Sequence, residues 1–130
     1  REASCKLFVT IYKDIKNDEF EKKLLEKFNE LCLSSSYLLR NTTLVYIKFF
    51  IEKLDDKIYL EFFEKKLIGI IFNLSKDKIA NVRMNCAFIL NKIKNVKFKD
   101  TKLNGEINNI IETLKKDKDE DVVKSINGIL

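Results

Sequence analysis

Lysine supplies nearly all of this chain's positive charge. Of 25 basic residues only three are arginine, at Arg1, Arg40 and Arg83, intervals of 39 and 43 residues. An arginine held at one phase of a roughly 40-residue period, where lysine is otherwise the default, marks a position that needs a planar fork of donors rather than charge alone. That period fits a repeating helical hairpin. The absence of proline and tryptophan and the presence of only three glycines remove the punctuation that sheets and long loops require, so helices are expected throughout.

The apolar spacing supplies the hairpins. Leu24, Phe28 and Leu31, widened by Leu25 and Cys32, predict an amphipathic A helix over 20–33. The serine run Ser34-Ser35-Ser36 offers an N-cap to a B helix carrying Leu44, Ile47, Ile51 and Leu54. Leu60, Phe63, Leu67, Ile70, Ile71 and Leu74 then predict a second A helix, and Val82, Cys86, Ile89, Leu90 and Ile93 its B partner. Ile107, Ile110, Ile111 and Leu114, followed by an acidic turn and then Val122, Ile126 and Ile129, make a third hairpin. The opening segment places Ala3, Leu7, Ile11 and Ile15 on one stripe and reads as a lone B helix.

The expected fold is therefore all-α, an α-solenoid or α-alpha superhelix in which each hairpin buries its apolar faces on its neighbours. It is expected as one array over 1–130, with an orphan B helix at 1–16 and hairpins at about 20–54, 60–96 and 103–129. A four-helix bundle is the structural rival, but it accommodates neither seven segments nor a recurring arginine. The chain begins without methionine and ends inside an apolar run, so a piece of a longer protein is expected.

Several function classes are excluded by residue type. With no histidine, the chain lacks imidazole triads and histidine metal ligands, and Cys5, Cys32 and Cys86 are too far apart to replace them. Gly69, Gly105 and Gly128 are isolated, which rules out a glycine-rich phosphate loop, and the acidic turn Asp117 to Asp121 lacks the glycine and distal glutamate of a calcium loop. No enzyme, no metal and no cofactor are expected. The cysteines read as reduced core thiols, which points to a cytoplasmic location with the nucleus as the second compartment. No apolar run is long enough for a membrane span, so no membrane partner is expected.

The formal net charge of +5 invites nucleic acid, but glutamates and aspartates alternate with the lysines, as in Glu21-Lys22-Lys23, and this disfavours it. Two sequon matches, at Asn41 and Asn73, lie in or beside expected helices and read as chance. Tyr37, Tyr46 and Tyr59 are expected to be exposed, Tyr37 at a turn.

Each arginine lies near the start of a B helix, where its fork can reach turn acids and carbonyls of its own or an adjacent repeat. A structural ladder of Arg1, Arg40 and Arg83 is expected, with Asp77 the nearest acceptor for Arg83. Ile79, in an otherwise polar turn, either packs locally or waits for a partner.

The run Asp77-Lys78-Ile79-Ala80-Asn81-Val82-Arg83-Met84-Asn85-Cys86-Ala87 resembles a HEAT-repeat block, D-P-V-A-N-V-R-F-N-V-A, found near the end of the scaffolding A subunits of protein phosphatase 2A. Tyr37-Leu38-Leu39-Arg40-Asn41-Thr42-Thr43-Leu44 is similar to that family's Y-L-x-R-x-T-T-L segment one repeat earlier, Arg1-Glu2-Ala3 to an R-E-A helix start before it, and the acidic turn to its last repeat. The resemblance implies the C-terminal repeats of a non-catalytic scaffold, holding a serine/threonine phosphatase catalytic subunit along the turns inside each hairpin. Regulatory subunits would bind N-terminal repeats that this sequence does not contain.

Carried over by matching positions, the implied contacts are Ile79, Asn81, Lys76 and Lys78, with Tyr37, Asp119 and Val122 at equivalent turns. The sequence departs from the family where Lys78 replaces a turn proline, where the serine run replaces Gly-Asp-Pro, and where Val123 or Lys124 takes the basic position of the last repeat. The alternative function is a HEAT-repeat nuclear-transport or chromosome-associated adaptor that binds peptide or nucleic acid.

Overall fold

The computed structural model describes residues 2–129, and the expected ladder position Arg1 lies outside them. Every regular element among the described residues is helical: α1 (Glu2–Ile15), α2 (Asp18–Cys32), α3 (Tyr37–Ile51), α4 (Lys57–Phe62), a π-helical turn (Phe63–Leu67), α5 (Ile68–Leu74), α6 (Ala80–Ile93), α7 (Thr101–Leu114) and α8 (Glu120–Ile126). Side-chain caps explain most of the starts. Asn17 accepts from the Phe20 N–H, Asp56 from Ile58, Asp100 from Lys102, and Asp119 from both Asp121 and Val122, each satisfying donors that a helix start leaves without intrahelical partners.

The chain divides into two compact units, Arg1–Ile68 and Gly69–Leu130. In the first unit α3 packs on both α1 and α2, and the π turn packs on α3 as well. Its centre is aromatic. The Tyr12 ring lies 5.2 Å from Phe50, 5.6 Å from Tyr59 and 5.0 Å from Phe62, and none of the four side chains is appreciably exposed. Such tilted pairs contribute about 0.5–1.5 kcal/mol each beyond the area they bury.

The two tyrosine hydroxyls in this cluster are satisfied. Tyr59 donates to the Val9 carbonyl at 2.7 Å, and Tyr12 donates to Glu21 Oε1 at 2.5 Å. Burial, reinforced by that acceptor, pushes the Tyr12 hydroxyl above its ordinary range.

Two expectations are corrected here. Tyr59 is buried rather than exposed, and Tyr46 is half-buried, 5.4 Å from Phe28 and 5.5 Å from Phe8. The stripe Ala3, Leu7, Ile11 and Ile15 lies on the open side of α1, whereas Cys5, Val9 and Tyr12 form the buried face. The helix carries two apolar faces, and spacing alone does not say which of them meets a neighbour.

In the second unit α6 packs most extensively on α8 and also on α7. Cys86, Ala87 and Leu90 on α6, and Val122, Ser125 and Ile126 on α8, are all buried, and the small members let the backbones approach closely. The last helix ends on Gly128 with φ 74, whose N–H donates to the Ser125 carbonyl while Ile129 N–H reaches back to Lys124 O, a Schellman-type closure that needs a left-handed residue.

Candidate functional site: the intra-hairpin turns

The positions singled out from sequence fall in three turns, after α2, α5 and α7, and these turns share one local construction. In the first, Ser34 Oγ accepts from the Ser36 N–H at 3.1 Å. In the second, Asp77 Oδ1 accepts from Ile79 N–H at 2.9 Å, and in the third Asp117 Oδ1 accepts from Asp119 N–H at 2.9 Å. Short side chains that bond the backbone two residues on close a turn without help from elsewhere. The N-cap residue that follows is extended in every case: Ser36 at φ −84, ψ 120, Ile79 at −91, 120, and Asp119 at −91, 124. Ser36 itself caps with backbone geometry alone, since its side chain makes no cap hydrogen bond.

The arginines complete two of these turns. Arg40 Nη1 donates to the Ser34 carbonyl at 2.9 Å, and Arg83 Nη1 donates to the Asp77 carbonyl at 2.8 Å, each reaching back six residues across its own turn. Both side chains are buried, so the guanidinium must be satisfied within the protein.

Arg83 has a further partner. Its Nε lies 2.8 Å from Asp117 Oδ2 and its Nη2 lies 3.1 Å from Asp117 Oδ1, a bidentate pair whose side chains are only 10% and 11% exposed. The fork thus ties the second turn to the third. Asp77, the acceptor expected for Arg83, accepts through its backbone carbonyl, and its carboxylate also closes the turn. Asp117 is held below the usual carboxylate range, mainly by the Arg83 hydrogen bonds, against the opposing effect of burial. Val123 occupies the place of the arginine in the third turn.

The structure brings the remaining residues to different surfaces. Lys76, Lys78 and Asn81 are exposed along the second turn, and Ile79 is half-buried. Ala80, Asn81, Met84, Asp119 and Asp121 line a shallow cleft between the second and third turns. Asp119 is half-buried as a helix cap, and Tyr37 is 41% exposed at the first turn. Val122 is fully buried and offers no surface to a partner, which corrects the expectation for that residue. Its apolar character reports core packing on α6. Sequence reasoning passed over Leu33 and Leu38, which are the most exposed large apolar residues of the three turns.

No protein-family model matches the chain, and no curated protein matches it. No group of three or more histidine, cysteine, aspartate or glutamate side chains among the described residues could hold a metal ion. No helix of the described residues is long and apolar enough to cross a membrane.

Proposed function

We propose that the chain is a non-catalytic helical-repeat scaffold, an α-solenoid segment of the HEAT type, that docks a serine/threonine phosphatase catalytic subunit along its intra-hairpin turns. The observation that supports this reading is the recurrence at 34, 77 and 117, intervals of 43 and 40 residues, of a short side chain that bonds the N–H of the N-cap residue two positions on, whereas Asp56 and Asp100 make the same kind of bond as the N-caps themselves. The second and third of these turns lie in one compact unit, tied by Arg83 and Asp117, and such paired turns offer a docking edge with no need of a pocket. The resemblance of residues 77–87 to the phosphatase scaffold block selects this partner over the transport or chromosomal alternatives.

In this reading Ile79 is the apolar contact of the second turn, flanked by Lys76, Lys78 and Asn81, while Arg40, Arg83 and Asp117 fix the turns from within. Tyr37 and Asp119 serve the first and third turns. Ile79→Asp is expected to weaken binding of purified phosphatase catalytic subunit at least about tenfold while leaving the circular-dichroism melt in place. Retained affinity of that variant would defeat the assignment.

A further inference from the structure

The lysines of this chain are balanced by acids except at one place. Residues 92–102, which run from the end of α6 through the connection into α7, hold Lys92, Lys94, Lys97, Lys99 and Lys102 against a single acid, Asp100. Four of the chain's five net positive charges therefore sit in this segment, and the rest of the chain carries 20 basic residues against 19 acidic. All five lysines are exposed. Asp100 is engaged as the N-cap of α7, where it accepts from the Lys102 N–H at 3.0 Å.

The same connection frames a cavity of about 470 Å³. That volume lies within the range of small-molecule sites, roughly 300–1,000 Å³. Its inner wall is apolar, made by Ile93, Phe98 and Ile107, all buried. Thr101 adds a hydroxyl, Asn95 and Asn108 add exposed amides, and Lys94 and Lys97 supply two cations. Among the described residues no carboxylate lines it. One amide of α7 fixes the wall: Phe98 N–H donates to Asn104 Oδ1, and Asn104 Nδ2 donates back to the Phe98 carbonyl, both at 3.4 Å.

This lining selects a ligand. Two ammonium groups with no acid beside them in the cavity suit a dianion, and lysine serves phosphate as a point charge, whereas a carboxylate is better met by the arginine fork that this chain keeps for its turns. The apolar wall suits a body that leaves water. Asn95 and Asn108 each carry both a donor and an acceptor for the edge of a heterocycle. A nucleic-acid strand fits poorly, because Phe98 is buried and offers no face for successive bases. A bilayer surface is planar and would leave a concave site unfilled.

We propose that the cavity between the end of α6 and the start of α7 binds a nucleoside monophosphate, with its phosphate on Lys94 and Lys97, its base against Ile93, Phe98 and Ile107, and Asn95 and Asn108 at the base edge. The site lies at the ends of α6 and α7 away from the intra-hairpin turns, and it requires no phosphatase partner.

The test is isothermal titration calorimetry of the full chain with AMP, GMP, CMP and UMP, using the matching nucleosides and inorganic phosphate as fragments. At least one nucleotide is expected to bind at least about tenfold more tightly than either of its fragments. Lys94→Gln/Lys97→Gln is expected to weaken that nucleotide at least about tenfold with an unchanged thermal melt, since both side chains are exposed. The control Lys22→Gln/Lys23→Gln, on α2, is expected to leave its affinity unchanged. Inorganic phosphate that binds as tightly as every nucleotide, or an equal loss in the control, reduces the site to diffuse charge and overturns the proposal. Binding of a single-stranded oligonucleotide or of phosphatidylserine vesicles without any mononucleotide assigns the lysines to a polymer or a membrane and overturns it as well. So does the absence of binding to all of these probes.

Discussion

Replacing Arg83 by lysine keeps the charge and removes the fork. In the structure one guanidinium serves three acceptors in two directions, Asp117 Oδ1 and Oδ2 on one side and the Asp77 carbonyl on the other. A lysine ammonium is a single point of donors that can approach one side only, so either the Asp77 carbonyl or the bidentate half of the Asp117 pair is left unmade. A net hydrogen bond to a charged group contributes about 1.5–3 kcal/mol, and a neutral one about 1 kcal/mol. Lysine retains one charged contact, which gives an expected loss of about 2 kcal/mol. With a urea slope of about 2 kcal/mol per molar, the midpoint falls by about 1 M with the slope unchanged.

Arg83→Ala leaves Asp117 largely buried without its cation and costs more, about 3 kcal/mol. A double-mutant cycle of Arg83→Ala with Asp117→Ala isolates the pair and is expected to return a coupling of about 1–3 kcal/mol. Urea titration followed by circular dichroism reads all of these. A midpoint for Arg83→Lys indistinguishable from the parent, or a coupling within error of zero, would refute the view that the fork ties the two turns together.

The same pair fixes an acid response, because Asp117 has a folded pKa below its unfolded value of about 3.9. Its stabilisation is complete above that value and is lost as pH falls through the folded pKa, so Asp117→Asn should flatten the acid limb of the stability curve. An unchanged acid limb in that variant would contradict the assignment. Tyr59→Phe removes the donor to the Val9 carbonyl at the aromatic centre of the first unit and is expected to cost about 1 kcal/mol, read by thermal melting. Gly128→Ala forces a side chain into φ 74 with its Cβ 3.1 Å from Asn91 Nδ2, and should destabilise by about 1 kcal/mol or more; a stabilised variant would show that the left-handed closure is not required.

Much of the architecture was legible because it is written in spacing. The expected helical segments fall on the helices from Asp18–Cys32 to Glu120–Ile126, while the single array expected over 1–130 is divided into two compact units after Ile68, within the segment expected as the second hairpin. Helical periodicity and the serine or aspartate before each B helix carry that information locally. The π turn at Phe63–Leu67 was not legible, since the apolar run around it reads equally well as uninterrupted α-helix. Of the candidate site, the arginine ladder was found from the arginine phase and the turn contacts from the resemblance, whereas the exposure of Leu33 and Leu38 depends on tertiary packing that no local pattern reports.

What the chain determined by itself is the helix-only composition, the phase of the arginines and the short side chains that close each turn, because caps, propensities and turn bonds act over a few residues. Tertiary structure alone decided that Arg83 reaches Asp117, that α1 buries Cys5, Val9 and Tyr12 in preference to its other apolar stripe, and that Tyr59 lies inside. Those outcomes depend on which elements meet across 34 to 50 residues of sequence, and no local pattern encodes that meeting.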